Sequence, residues 1–179
     1  MKTRDLTYIG IMVALIAVCA WITIPTVVPF TLQTFGVFLA VALLGGKRGT
    51  LAVLVYLLLG AVGAPVFAGF TGGPGKLLGM TGGYILGFLV QAAVMWLGER
   101  LMGRNTASFL LFGVLGLAAC YLFGSLWYLY LYTTSNGPTG ILAVLGQCVL
   151  PFLPMDLVKL VLALLIGKRL ARPLGYAWN

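Results

Sequence analysis

The chain has 179 residues, of which 61% are hydrophobic and 8% charged; a soluble domain carries roughly 25% charged residues, so a water-soluble enzyme and a disordered chain are both excluded. Eleven Lys+Arg against three Asp+Glu give a net charge of +8 with no His, which removes imidazole metal sites, His-based nucleophile pairs and His proton relays. The acids Asp5, Glu99 and Asp156 lie far apart in sequence, and Cys19, Cys120 and Cys148 lack metal-type spacing and read as small apolar packing residues.

The membrane is therefore the solvent to reason with. A span needs ~20 mostly apolar residues. The first such stretch runs from about Leu6 to Ile24 and ends before Pro25. Its basic start and apolar body suggest a signal peptide, but it is too long and has no small-x-small cleavage site, so it is predicted to span. Gly10, Ala14 and Ala17 form a row of small residues along it, of the kind that lets helices approach closely. The segment TIPTVVPFTLQTFG (Thr23–Gly36) follows. Its Gln33, flanked by Thr31 and Thr34, offers donors and acceptors to a ligand; the plainer reading is ordinary helix capping by Thr.

The second stretch, about Gln33 to Leu44, is short and contains the close pair Gly36 and Ala40; the third runs from about Thr50 to Val62. A Gly-rich run, Gly60 to Tyr84, comes next, with Phe67, Phe70 and Tyr84 interleaved. It is not a phosphate-binding P-loop: counting back from Gly75-Lys76 reaches Phe70, and Leu77 follows the lysine. A long loop of this kind acts as a lid or as a plain connector. The fourth stretch covers about Gly82 to Leu97, with Gly79, Gly83 and Gly87 at helical spacing, and the fifth about Ala107 to Tyr132. The turn-rich TTSNGPTG (Thr133–Gly140) separates it from a last apolar stretch, about Ile141 to Leu170, broken by Pro151 and Pro154. Its first part is predicted to be an outer-leaflet helix or loop, and the last span to start near Pro154, which suits a first helical turn.

Charge placement sets the orientation. Lys2 and Arg4, Lys47 and Arg48, Arg100 and Arg104, and Lys168, Arg169 and Arg172 all fall on one side if there are six crossings. Lys76 alone lies opposite, and Lys159 sits inside a span. The positive-inside rule then puts both termini in the cytoplasm. The expectation is an all-α integral membrane protein with six transmembrane helices, forming one transmembrane domain over residues 1–179. These cations need no nucleic-acid partner. Trp21, Trp96, Trp127, Tyr128, Tyr130 and Tyr132 lie near span ends, as interfacial aromatics do.

PFLPMDLVKL (Pro151–Leu160) is the segment most suggestive of chemistry. Asp156 and Lys159 are three residues apart, hence on one helical face. A charge within a span costs on the order of 2.5–3.5 kcal/mol at the centre, and such residues commonly mark a ligand or ion path. The other reading is a salt bridge that only specifies helix packing. Together the two charges suit a small molecule with an anionic end and a polar N–H end. With Thr23–Gly36 and the Gly-rich run on the same side, they predict a pocket open to the outside. Two rival functions remain. One is a solitary ion-coupled small-molecule carrier using Asp156. The other is an intramembrane enzyme using Ser125 or Ser108 with Lys159 as base. Nothing in the chain binds nucleotide, so uphill transport would need a partner or an ion gradient.

Three segments, VPFTLQTFGVFLA (Val28–Ala40), Leu43–Phe88 and FLPMDLVKL (Phe152–Leu160), match in order and spacing a known family. The chain resembles the BioY-type, biotin-specific S components of energy-coupling-factor (ECF) vitamin transporters. The resemblance implies six helices, a high-affinity biotin site near the outer face, residence in the bacterial plasma membrane, no cofactor and no catalysis. It implies that Asp156 and Lys159 contact biotin's polar ends, Lys159 meeting the carboxylate by charge and Asp156 the ureido N–H groups or Lys159 itself. Gln33, Thr34, Thr81, Gly82, Gly83 and Tyr84 would complete the pocket, and Phe67 would pack on the ring. Gly10, Ala14 and Ala17 would dock a transmembrane coupling protein driven by two cytoplasmic ATPases. Met155 replaces a family glycine, away from the charged positions.

Overall fold

The structure, a computed structural model, describes residues 3–25, 28–137, 140–171 and 178. Lys2 and Arg172, used above for orientation, lie outside the described residues.

The chain is helical nearly throughout. α1 is Thr3–Trp21, α2 Gln33–Leu44, α3 Gly46–Ala61, α4 Pro74–Leu78, α5 Gly82–Met102, α6 Thr106–Asn136, α7 Ile141–Cys148 and α8 Leu153–Ala171. The two-residue strands β1 (Thr23–Ile24) and β2 (Phe30–Thr31) pair antiparallel between α1 and α2. Each apolar stretch anticipated as a span is a helix. The helices also run past the apolar residues, as α3 does to include Lys47 and Arg48, because backbone hydrogen bonding continues where lipid contact stops. The Gly-rich run holds the one unforeseen helix, α4, opened by Pro74 in its first turn.

Three helices, α1, α5 and α6, are long and apolar enough to cross a membrane alone, and α7 with α8 makes a fourth such unit bent by 49°. At 1.5 Å per residue, the 12 residues of α2 and the 16 of α3 fall short of a ~30 Å hydrocarbon core. All of α2 except Phe35 is buried, among α1, α3, α5 and α8. A helix apolar all round belongs in such a centre. Other helices instead turn large side chains outward, among them Leu58, Leu101, Leu122 and Leu142.

Small residues set the helix approaches, with two departures from the expected rows. Gly36 meets the α1 backbone at Ile16, and Gly83 and Gly87 meet Trp127 and Cys120 of α6. Gly79, however, lies outside α5, where its carbonyl accepts the Trp127 indole N–H (3.1 Å). On α1, Gly10 and Ala14 are exposed whereas Ala17 is buried, because α2 closes over this end of α1, Gly36 lying against Ile16 and Cys19.

The basic end of the bundle is tied by charge. Arg48 pairs with Asp5 (3.3 Å), joining α3 to α1. Glu99 accepts the Gly46 N–H (2.7 Å) at the start of α3, and Arg104 donates to the Ala42 and Leu43 carbonyls (2.6 and 3.0 Å) at the end of α2. Anions at helix starts and cations at helix ends match the helix dipole. The elbow between them turns on Gly45 at φ 80°, a conformation that favours glycine.

Candidate ligand-binding site

At the other end of α2 lies a cavity of about 660 Å³, counting space open to the outside. Segments from the β2–α2 junction to α8 contribute to it. The β2–α2 junction supplies Thr31, Gln33 and Thr34; α4 and its flanks supply Ala68, Lys76 and Thr81. Tyr84, Ile85 and Phe88 come from α5, Leu117, Cys120 and Tyr121 from α6, and Cys148, Phe152, Asp156 and Lys159 from the bent last unit.

Most of that wall is apolar, and one polar cluster interrupts it. The Lys159 ammonium donates to Asp156 Oδ1 at 2.6 Å and to the Thr31 carbonyl at 2.7 Å. It also stands 4.5 Å from the centroid of the Phe30 ring, a cation–π contact. Tyr121 Oη donates to Asp156 Oδ2 at 2.6 Å. Asp156 is 4% and Lys159 6% exposed, so both charges have left water and depend on these partners. Asp156 sits in the first turn of α8, where the helix dipole favours an anion. Pro154 permits that start, as the sequence predicts.

The polar residues around the cluster are themselves held. Gln33 Nε2 donates to Tyr56 Oη (2.8 Å), which donates to the Val66 carbonyl (2.9 Å). The Gln33 N–H donates to Thr31 Oγ1 (3.2 Å). Tyr84 Oη and Ser125 Oγ share a hydrogen bond of 3.1 Å. The Ser125–Lys159 pairing is therefore not formed: Ser125 partners Tyr84, and Lys159 partners Asp156 and Thr31.

Of the residues singled out from the sequence, Asp156, Lys159, Gln33, Thr34, Thr81 and Tyr84 line the cavity. Phe67, Gly82 and Gly83 do not. Phe67 is fully buried behind the wall, against Gly60 and edge-on to Tyr56 at 5.5 Å. Gly82 abuts the Leu77 carbonyl and Gly83 the Trp127 ring, so both serve the joint that carries Thr81 and Tyr84. The Gly-rich run is pinned rather than loose. Trp21 donates to the Pro65 carbonyl (2.9 Å) and stacks on Phe70 at 4.9 Å. The Gly73 N–H donates to the Gly60 carbonyl (2.7 Å).

The BioY family model matches residues 1–176. The chain belongs to the BioY family. Among its BioY relatives, a biotin transporter BioY from Thermotoga maritima is 46% identical over 171 residues, covering 94% of this chain and 96% of the relative. A probable biotin transporter BioY from Pyrococcus horikoshii is 40% identical, covering 95% and 98%. A crystal structure of the S component for biotin from an ECF-type ABC transporter superposes with a TM-score of 0.81 at 30% identity, covering 96% of this BioY chain and 95% of that one. Met155 is 53% exposed and does not line the cavity.

Sequence reasoning passed over Tyr121, the second partner of Asp156. A phenol in mid-span, within an otherwise apolar helix, needs a hydrogen-bond partner, and that need was a usable clue. It also passed over Phe30, Cys120 and Cys148, which read as ordinary apolar residues until the fold brings them together.

Proposed function

We propose that the chain is the membrane-embedded biotin-binding S component of an ECF-type ABC importer. It binds its ligand without transforming it. The observation that carries this reading is the buried Asp156–Lys159–Tyr121 cluster set in an apolar cavity, in a chain similar over nearly its whole length to biotin transporters. All six of α1, α2, α3, α5, α6 and α8 cross the bacterial plasma membrane, the short α2 and α3 being shielded by their neighbours. The grouping of Arg4, Lys47, Arg48, Arg100, Arg104, Lys168 and Arg169 at the end away from the cavity supports cytoplasmic termini and a cavity open outward. A coupling protein and two cytoplasmic ATPases supply the energy.

Isothermal titration of the purified protein against a panel of vitamins tests this directly. Biotin should bind and unrelated vitamins should not; a protein indifferent to biotin would end the proposal. Tyr121→Phe should weaken biotin binding about tenfold, the worth of one hydrogen bond to a charged group, and lower the melting temperature, because Asp156 Oδ2 loses its partner. In proteoliposomes, uptake should require the coupling protein and ATPases. Gly10→Leu and Ala14→Leu, on the exposed face of α1, should abolish uptake but leave binding intact. Uptake by the chain alone, driven by a pH gradient, would instead favour the ion-coupled carrier.

A further inference from the structure

The cavity wall carries charged groups of two kinds, a buried pair and a separate lysine. The Asp156–Lys159 pair is neutral overall, and the Lys159 ammonium already donates to Asp156 and the Thr31 carbonyl and stands over the Phe30 ring. A ligand carboxylate placed there would sit beside the Asp156 carboxylate with no spare positive charge. Two anions sharing a buried site repel strongly. Asp156 is instead suited to accept N–H groups.

A spare cation exists elsewhere on the same wall. Lys76 of α4 lines the cavity and is half-buried. Among the described residues its ammonium makes no hydrogen bond or ion pair, and the other acids, Asp5 and Glu99, are engaged at the far end of the bundle. The backbone that carries it is held on both sides. The Lys76 N–H donates to the Gly73 carbonyl (3.2 Å), and Trp127 holds Gly79 just beyond α4. Ile85, Phe88, Leu117 and Phe152 supply apolar wall in the same cavity, suited to a thioether ring and a short methylene chain.

Building on the biotin reading, we propose that Lys76 receives the ligand's carboxylate at the cavity mouth, while Asp156, held by Lys159 and Tyr121, receives the cyclic urea N–H groups. This reverses the assignment of the carboxylate to Lys159 that charge alone suggests. Lys76 is thus the residue that selects for a free acid tail.

The test titrates biotin and biotinamide, whose tail is neutral, into wild type, Lys76→Gln and Lys76→Arg, at low and high salt. Lys76→Gln should lose about tenfold for biotin, the worth of a charged hydrogen bond discounted for partial exposure, and less than about twofold for biotinamide. Lys76→Arg should stay close to wild type. The salt sensitivity of biotin binding should disappear with the lysine. Equal losses for both ligands would make Lys76 a shaper of the loop and overturn the assignment. No loss for either would leave it a cation facing solvent or lipid phosphate, and overturn it too. Both of those outcomes leave the biotin reading standing. A wild type that binds neither ligand would remove that reading and this assignment together.

Discussion

Lys159→Ala is expected to weaken biotin binding at least ~100-fold. Removing one member of a buried ion pair typically costs 3–5 kcal/mol, and each 1.36 kcal/mol is a factor of ten. The loss would leave the Asp156 carboxylate, 4% exposed, with Tyr121 as its remaining side-chain partner. Asp156→Ala should cost as much, since it deletes the acceptor and strands the ammonium against the Thr31 carbonyl and the Phe30 ring. Titration calorimetry reads the affinity, and a thermal melt in detergent reads the fold. Asp156→Asn combined with Lys159→Met separates the two effects. With both charges gone, no unpaired ion remains, so the melting temperature should return towards wild type while binding stays lost. Recovery of binding in that double variant would show that the pair serves helix packing only.

Gly82→Ala should damage the site from outside it. The added Cβ would overlap the Leu77 carbonyl, a backbone atom that no rotamer change can move aside. The Gly82 N–H donates to the Gly79 carbonyl (2.9 Å), so this glycine closes the joint between α4 and α5. Opening it displaces Thr81 and Tyr84 on one side and Lys76 on the other. Overpacking of this kind costs about 1–3 kcal/mol, roughly 3–10 °C of melting temperature in a chain of this size. Biotin affinity should fall about tenfold or more with it, as each lost contact to a charged group carries that weight. Retained affinity with a lowered melt would show that the joint is not needed to position the wall.

The part of the site that was legible in the sequence was its charge. Asp156 and Lys159 are conspicuous because ions are rare and costly within a span, and three-residue spacing puts them on one face. Gln33 and Thr34 were legible for the same reason, as polar groups at the edge of an apolar stretch. The aromatic and glycine assignments were less secure. Phe67 and Gly83 have the residue types of a pocket wall, yet Phe67 packs under Gly60 and Gly83 under Trp127. Residue type does not tell whether a small or aromatic residue faces ligand or a neighbouring helix. On α1 the row Gly10, Ala14, Ala17 suggested one face, and the cover supplied by α2 divides it.

Composition and the spacing of charges determined by themselves that this is a membrane protein of apolar helices with most of its cations grouped at one end. Those features follow from the cost of ions and unbonded backbone in lipid, which acts on each segment independently. Only the tertiary structure decided that Tyr121 completes the environment of Asp156, that Lys159 is already engaged, and that Lys76 shares their cavity. Those are contacts between residues up to 128 positions apart, as from Lys159 to Thr31. They depend on how the helices pack against one another, which no local pattern in the chain records.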